Sequence, residues 1–154
     1  MYIIERLTGK EHKAIVESVV TVDYNQITKA NFFFNWKTEK KNEVYKLRLA
    51  TSDSILGLMS FEKHKVEHRI ELKLLAVSKE NRGKNKKYER IAGCLIAFVC
   101  KVAVTDYGEY ACVSLIPKTL LKKHYIKSYG MKEAGRSVYL EDKCLLELLL
   151  KYEL

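Results

Sequence analysis

The chain has 154 residues, which is enough to bury one core but too short for two ordinary domains. Lysine and arginine together number 28 and aspartate and glutamate 19, so the formal net charge is +9 and anionic partners are favoured. One proline and seven glycines leave no linker, repeat array or low-complexity tract. We therefore expect a single domain over residues 1–154.

The cysteines and the apolar runs predict neither a metal centre nor a membrane anchor. No CxxC or Cys/His ligand spacing is present, and three cysteines lie in apolar runs, where cysteine behaves as a small hydrophobic residue. The cysteines are Cys94, Cys100, Cys112 and Cys144. The charged N-terminal region lacks a signal-peptide core, and we expect no apolar run long enough to cross a bilayer. We expect reduced structural thiols, no metal, no membrane partner and a cytoplasmic location.

The first half of the chain predicts strands and one helix. Residues 2–6 form a short strand candidate. Alternating side chains predict strands over residues 43–50 and 54–63, joined by a turn at residues 51–53. Residues 11–24 mix helical spacing with β-branched residues, and we predict a helix there. This half is expected to be the antiparallel part of a sheet.

The second half predicts a strand, helix, strand, helix order. Residues 70–77 alternate and then become continuously apolar, as in a strand whose far end is covered on both faces. Residues 93–104 are apolar nearly all round, which indicates a buried helix. A strand over residues 110–116 and an amphipathic helix over residues 118–129, closed by Gly130, follow. The two strands should be parallel, with ligands bound beyond their carboxyl ends.

The C-terminal part predicts a hairpin and a final helix. The hairpin strands are residues 131–134 and 137–141, and Asp142 is the expected helix cap. Leucines stand at 145, 146, 148, 149 and 150, too many for one stripe. The helix either covers the open edge of the sheet or forms a homodimer contact.

Residues 77–93 join the buried strand to the buried helix and form the most informative stretch. Their basic residues are Lys79, Arg82, Lys84, Lys86, Lys87 and Arg90. A basic loop at a helix start offers main-chain N–H groups, a positive dipole end and cations to an anion. A solvated basic loop is the alternative, but the position between a strand and a buried helix favours phosphate binding.

This stretch resembles the GNAT superfamily of acyl-CoA-dependent N-acyltransferases. The resemblance rests on three features: the strand end at Val77, the segment Lys87-Tyr88-Glu89-Arg90-Ile91-Ala92-Gly93-Cys94-Leu95-Ile96, and residues 118–130 with His124-Tyr125. It implies an α/β (α+β) fold. That fold has a mixed, mostly antiparallel sheet with a central parallel strand pair, helices on both faces and an extra C-terminal helix.

The family's phosphate loop has Gln or Arg, two residues, Gly, one residue, then Gly or Ala. Two registers fit this chain. In one, Arg82 leads, and Asn85 and Lys87 stand at the small-residue positions; in the other, Lys87 leads, Arg90 replaces the first glycine and Ala92 fills the last position. We prefer the second, since it keeps the buried helix in phase. The resemblance then implies that the coenzyme A pyrophosphate is held by Lys87, Tyr88, Glu89, Arg90, Ile91, Ala92 and Gly93.

The resemblance also implies contacts along the rest of the cofactor. A main-chain N–H near Val77 would hydrogen-bond the acyl carbonyl. Lys118 stands where many members carry an asparagine that contacts the pantetheine arm. Tyr125 matches the tyrosine that often protonates the leaving thiolate, although the Leu121, Tyr125 and Tyr129 stripe also fits a core role.

A general base is the remaining catalytic group that the resemblance implies. Glu71, on the strand leading to Val77, is our first candidate, with Glu67 and His68 as alternates. An ion pair between Glu71 and a lysine on a neighbouring strand is the competing interpretation.

We expect an N-acetyltransferase that passes the acetyl group of acetyl-CoA directly to a primary amine. The acceptor stays open between a small molecule, a protein and an aminoacyl-tRNA. The aromatic cluster that could line its pocket, or simply belong to the core, is Phe32, Phe33, Phe34 and Trp36. The alternative function is an inactive CoA-binding or RNA-binding module. Nucleic acid is not favoured, because the only aromatic residue in the 79–90 basic segment is Tyr88.

Overall fold

A computed structural model describes residues 1–154, and their contacts divide the chain into two compact units. The first unit is Met1–Ser60 with Leu74–Leu95, and the second is Phe61–Lys73 with Ile96–Leu154. The strands are β1 (Tyr2–Glu5), β2 (Glu11–Ser18), β3 (Glu43–Leu49), β4 (Ile55–His64), β5 (Arg69–Val77), β6 (Tyr88–Glu89), β7 (Cys112–Leu115), β8 (Lys132–Ala134) and β9 (Ser137–Glu141). The helices are α1 (Lys29–Phe32), α2 (Ile91–Tyr107), α3 (Lys122–Tyr129) and α4 (Asp142–Lys151).

Hydrogen bonds order the strands as β6-β1-β2-β3-β4-β5-β7-β9-β8. β5 and β7 are parallel, whereas β1 with β2, β1 with β6, β2 with β3, β7 with β9 and β8 with β9 are antiparallel. The predicted mixed, mostly antiparallel sheet with a central parallel pair is therefore confirmed.

The helix predicted over residues 11–24 is wrong. β2 occupies most of it and pairs with β1 through Ile3 and His12 and with β3 through Ile15 and Arg48. Its β-branched residues lose side-chain freedom in a helix but fit a pleated sheet, and two neighbouring strands satisfy its main chain. A 3₁₀ turn, Thr21–Asn25, completes the segment.

A buried ion pair holds that 3₁₀ turn in the first unit. Lys46 Nζ donates to both carboxylate oxygens of Asp23 at 2.7 Å, and the Val20 N–H donates to the same carboxylate at 2.8 Å. Both charged residues are buried. Tertiary contacts of this kind, which link residues far apart in sequence, decide the local structure here.

The predicted buried helix is confirmed as α2, which begins at Ile91 rather than at Gly93. Most apolar side chains of its first half are fully buried, including Cys94, Leu95 and Ile96. The expectation that no apolar run could span a bilayer is wrong by length and composition, because Ile91–Tyr110 passes that test. Half of that window is buried inside the protein, and a core helix passes the same test.

The thiols follow the expectation for structural cysteines. All four are free, and Cys94 and Cys100 are fully buried. Burial raises the pKa of Cys94 to about 11 and that of Cys100 to about 12. Burial also raises the pKa of Cys112 to about 11. Thiols of this kind remain protonated at neutral pH and are poor nucleophiles.

The second unit contains the parallel pair and the C-terminal helices. Arg69 pairs with Cys112 at one end of the parallel ladder and Leu72 with Leu115 at the other. α3 ends at Gly130 in the left-handed conformation (φ 69°), as predicted. It is shorter than predicted, because a 3₁₀ turn, Thr119–Leu121, precedes it.

Asp142 is not the cap of α4. It is the first helical residue and has a φ of 49°, and Glu141 occupies the cap position without a side-chain hydrogen bond. The leucines of α4 divide between two environments. Leu145, Leu148 and Leu149 are buried, whereas Leu146 and Leu150 are exposed.

Candidate active site

The basic loop of the first unit is tied together by a buried asparagine. Asn81 Nδ2 donates to Ser78 Oγ at 2.7 Å, and the Tyr88 N–H donates to Asn81 Oδ1 at 2.9 Å. The Lys87 N–H donates to the Glu80 carbonyl at 3.2 Å. These bonds close the loop at both ends. Asn81 is not among the residues predicted from the sequence, although the short asparagine side chain is well suited to bonding nearby main-chain groups.

The loop is also joined to β1. β6 pairs with β1 through Glu89 with Ile4 and Tyr88 with Glu5. The Arg6 N–H donates to the Lys87 carbonyl at 2.9 Å, and Arg6 Nη1 donates to the Lys84 carbonyl. Two of the residues assigned to the cofactor, Tyr88 and Glu89, therefore have main chain engaged in a strand. A two-residue strand has no sequence pattern that could have predicted it.

The start of α2 presents donors without acceptors. The N–H groups of Ile91, Ala92 and Gly93 make no hydrogen bond with the chain, and the first bond into the helix is from the Cys94 N–H to the Arg90 carbonyl at 2.9 Å. Such N–H groups, together with the positive end of the helix dipole, bind anions. In the predicted register that Lys87 leads, the last position, Ala92, lies in the first turn of this helix.

Arg90 has a backbone conformation that favours glycine. Its φ is 79°, in the left-handed region that favours glycine. Its Nε donates to the Tyr2 carbonyl at 3.2 Å, and its guanidinium carbon lies 4.3 Å from the centre of the Tyr2 ring. The side chain is thus bound along β1, and these contacts offset part of the backbone strain.

Gly57 of β4 lies directly beneath the first turn of α2. A Cβ at Gly57 would lie 2.7 Å from Ile91 Cγ2 and 3.0 Å from Leu95 Cδ1. A side chain at position 57 would require Ile91 to shift, so the helix start approaches the strand closely.

The alternation of hydrogen-bonding directions along β5 changes between Leu72 and Ser78. The His68 carbonyl accepts from the Cys112 N–H of β7, whereas the Ser78 N–H donates to the Leu56 carbonyl of β4. In a regular strand, residues an even number apart face the same neighbour, so β5 contains an irregularity between Leu72 and Ser78. Val77 is the last residue of this irregular stretch of β5. Past Leu72, β5 has no pairing with β7.

Arg82 fixes the end of β5. Its Nε donates to the Val77 carbonyl at 3.3 Å, and its guanidinium carbon lies 3.5 Å from the centre of the Phe33 ring. The arginine that leads the first of the two loop registers is thus engaged with the strand end and with an aromatic ring.

Two predicted residues of the second unit, Tyr125 and Lys118, lie on α3 and just before it. Tyr125 is partly buried, and its ring lies 5.8 Å from that of His124 and 5.9 Å from that of Tyr129. Burial raises the pKa of Tyr125, so its hydroxyl is protonated at neutral pH. Lys118 is exposed and immediately precedes the 3₁₀ turn.

Glu71 belongs to a charged cluster of the second unit. His64 Nε2 lies 3.1 Å from Glu71 Oε1, Lys73 Nζ 3.3 Å from Oε2 and Arg69 Nη1 3.6 Å from Oε1. Burial alone would raise the pKa of Glu71, but the bonds and charges of Lys73, His64 and Arg69 together lower it. The expected lysine partner therefore exists, but on the same strand rather than a neighbouring one.

The same cluster is the arrangement closest to a metal site. Ligand atoms of Glu62, His64 and Glu71 lie within 4.8 Å of one another. The ammonium of Lys73 stands between the two carboxylates, 3.9 Å from Glu62 and 3.3 Å from Glu71. A lysine thus supplies the positive charge that a metal ion would bring.

The alternates for the base have other partners. Glu67 accepts from Arg69 Nε at 2.8 Å, and His68 lies 5.6 Å from the Tyr107 ring and 5.5 Å from the Tyr110 ring. Glu71 and Arg69 instead line an open cleft of about 380 Å³ on the β5, β7 and β9 face. Glu71 is therefore placed where a small acceptor could reach it.

The aromatic cluster divides into core and surface. Phe32 and Trp36 are buried and pack with Ile55 and Leu58 in the first unit. Phe33 and Phe34 are 44% and 41% exposed. The interpretation as core residues is therefore right for Phe32 and Trp36 only.

No family model matches the chain, and no curated protein matches it in sequence. Solved structures do match. The spermidine N-acetyltransferase from Vibrio cholerae in complex with CoA and spermine is 14% identical, with 87% of this chain and 98% of that chain covered and a TM-score of 0.65. A putative streptothricin acetyltransferase from Bacillus anthracis in complex with acetyl coenzyme A is 13% identical, with 85% and 99% covered and a TM-score of 0.61.

A GNAT family acetyltransferase from Brucella melitensis, in complex with acetyl-CoA, gives a third likeness. It is 17% identical, with 84% of this chain and 88% of that chain covered and a TM-score of 0.56. At such identities a likeness shows the fold. The resemblance seen in the sequence is confirmed at that level: the chain has the fold of the GNAT acetyltransferases.

Proposed function

We propose that the chain is an N-acetyltransferase that uses acetyl-CoA and acetylates a primary amine by direct attack. The observation that carries the proposal is the start of α2, where the N–H groups of Ile91, Ala92 and Gly93 have no partner in the chain. Solved structures with the same fold contain acetyl-CoA or CoA. A pyrophosphate is the part of that cofactor that suits unpartnered N–H groups at a helix start.

In this proposal the loop binds the cofactor mainly through its main chain. The α2 dipole contributes only about 0.3–1 kcal/mol at an exposed site, so hydrogen bonds supply most of the affinity. Lys87 adds a cation, and Arg90 contributes its left-handed backbone rather than its side chain. Lys118 is proposed to contact the pantetheine arm, in place of the family's asparagine.

The proposed reaction needs one main-chain donor and two proton carriers. The Val77 N–H bonds the acetyl oxygen, a kind of contact worth about 3–4 kcal/mol in other enzymes. The amine nitrogen forms a bond to the acetyl carbon as the carbon–sulfur bond breaks. Glu71 accepts the proton that the amine loses, and the Tyr125 hydroxyl gives a proton to the departing thiolate.

The acceptor is proposed no more finely than a primary amine on a small molecule, a protein or an aminoacyl-tRNA. Spermidine is the substrate named for the Vibrio protein, and at 14% identity it does not transfer to this chain. We also propose a cytoplasmic location and leave α4, with Leu146 and Leu150 exposed, as the surface for a homodimer.

Calorimetric titration with acetyl-CoA tests the proposal, followed by thiol release with a panel of primary amines. Saturable binding is expected, and Ala92→Glu should weaken it at least about tenfold, because a carboxylate then stands at the anion site. Thr105→Glu adds the same charge to an exposed position of the same helix and serves as the control.

The outcomes separate the two candidate functions. Binding that Ala92→Glu weakens, with thiol release, supports the enzyme. The same binding without thiol release for any amine favours the inactive CoA-binding module, for which Arg90 and Lys118 are the departures from the family pattern. Absence of binding at millimolar acetyl-CoA would contradict both.

A further inference from the structure

The fold brings exposed aromatic rings next to the basic loop, which the sequence keeps more than 40 residues apart. α1 packs against the 3₁₀ turn Lys79–Asn81. Phe33 and Phe34 follow α1 directly. We call the exposed residues Lys29, Phe33, Phe34, Lys79 and Arg82 the aromatic-basic surface.

Phe33 is held in an unfavourable conformation at this surface. Its φ is 63°, in the left-handed region, where a bulky residue is a genuine outlier. A glycine would end α1 there without strain. The Phe33 ring nevertheless lies under the Arg82 guanidinium at 3.5 Å and remains 44% exposed. The strain is therefore accompanied by an exposed, oriented ring.

Neighbouring groups keep this surface in place. Arg82 is oriented by its bond to the Val77 carbonyl at 3.3 Å. The Phe34 ring packs edge to face on buried Trp36, with ring centres 6.4 Å apart. Both exposed rings are thus positioned before any ligand binds, which lowers the entropic cost of stacking on them.

We propose that the aromatic-basic surface binds single-stranded nucleic acid, with unpaired bases stacked on Phe33 and Phe34 and phosphates bound by Lys29, Lys79 and Arg82. Aromatic rings beside a basic track are the general means of binding single strands, since every base has a face that can stack. A duplex keeps its bases paired and cannot use the rings.

Two rings and a net charge of +9 favour a polynucleotide over one nucleotide. The adenosine of coenzyme A has a single base, whereas this surface offers two exposed rings on one segment and cations on two contacting elements. In the sequence, Tyr88 is the only aromatic residue within the basic segment, which disfavours nucleic-acid binding. In the folded chain, Phe33 and Phe34 lie beside that segment.

The test measures fluorescence anisotropy of a labelled RNA of about 12 nucleotides, within the range of known single-strand sites, over a salt series. The same strand annealed into a duplex is the comparison, and it should bind at least about fivefold more weakly. Phe33→Leu and Phe34→Leu should each weaken single-strand binding at least about fivefold at unchanged charge. Tyr110→Leu removes an exposed ring from the second unit and should leave the affinity unchanged.

Charge variants test the phosphate contacts. Lys79→Gln should lower the slope of log affinity against log salt by about 0.7, the value for one phosphate contact on a single strand. Lys123→Gln removes an exposed charge from α3 and should leave the slope unchanged. Thermal melts confirm that each variant is folded. Because Phe33 has a strained backbone, the Phe34→Leu variant tests base stacking independently of any change in that strain.

Three results would overturn the proposal. One is no RNA binding, or equal binding of duplex and single strand. Another is unchanged affinity in both phenylalanine variants. The third is adenosine 3′,5′-bisphosphate binding as tightly as the RNA and displacing it, which would assign the surface to the nucleotide of coenzyme A.

Discussion

The start of α2 and the cluster around Glu71 differ in whether their polar groups have partners within the chain. At the start of α2, three main-chain donors have no partner, while the surrounding loop is fixed by Asn81 and Arg90. Around Glu71, the carboxylate already has His64, Lys73 and Arg69 within 3.6 Å. The first region offers free N–H donors, whereas the carboxylate of the second is already satisfied by neighbouring side chains. A ligand can therefore bond the main chain at the start of α2 without displacing a partner, whereas a substrate near Glu71 competes with His64, Lys73 and Arg69.

The largest expected effect concerns Glu71. If it accepts the amine proton, Glu71→Gln should lower turnover by about 10²–10⁴-fold and leave acetyl-CoA affinity unchanged. Glu62→Gln removes an exposed carboxylate from the same cluster and is the control. Equal turnover in the wild type and Glu71→Gln would show that Glu71 forms ion pairs only. The Glu71 cluster would then have a structural role, unlike the start of α2.

Asn81→Ala should destabilise the fold by about 1–3 kcal/mol, since it leaves the buried Tyr88 N–H without an acceptor. Loss of the loop closure should weaken acetyl-CoA binding as well. Asn85→Ala changes an exposed asparagine of the same loop and should do neither. Denaturant unfolding and calorimetry measure the two effects. Unaltered stability in Asn81→Ala would show that the loop is not fixed in advance.

The pH dependence of stability reports on the Glu71 cluster. The pKa of the Glu71 carboxyl is lowered in the folded state. Ionised Glu71 therefore stabilises the fold when the pH is above 4.5, the ordinary pKa of this group. That contribution is lost as the pH falls through the lowered folded pKa. The unfolding free energies of wild type and Glu71→Gln should therefore converge below pH 4.5. A difference that stays constant with pH would show that the partners do not stabilise the charge.

Arg90→Gly should have the smallest effect. Glycine relieves the strain of φ 79°, while the contacts with Tyr2 are lost, so the net change in unfolding free energy should stay within about 1 kcal/mol. Acetyl-CoA affinity should persist, because the donors lie in the main chain. A large loss of affinity would instead assign the Arg90 side chain to the phosphates.

Sequence reasoning succeeded where one apolar pattern decides one element. The continuous apolar runs of β5 and α2 and the Gly130 end of α3 were predictable, and their order implied the parallel pair. It failed at β2, where the β-branched residues fit both helical and strand spacing. There, pairing with β1 and β3 determines that the segment is a strand. It also missed β6, because two residues have no period.

The candidate site divides in the same way. Its loop was predictable from charge and position, but Asn81, the bound Arg90 side chain and the irregularity in β5 depend on residues far away in sequence. The partners of Glu71 were hidden for a similar reason. His64 is on another strand, and a salt-bridge network has no spacing that a linear pattern reveals.

Cys94 offers a reporter for this region that needs no knowledge of the acceptor. Its thiol is fully buried in the first turns of α2, donates to the Tyr2 carbonyl at 3.4 Å and has a pKa raised to about 11. A thiol reagent reaches it only when that end of the helix opens, so the alkylation rate measures local opening. A ligand held by the helix start must slow that rate in proportion to its occupancy. Mass spectrometry of the alkylated peptide then detects cofactor binding in the absence of turnover.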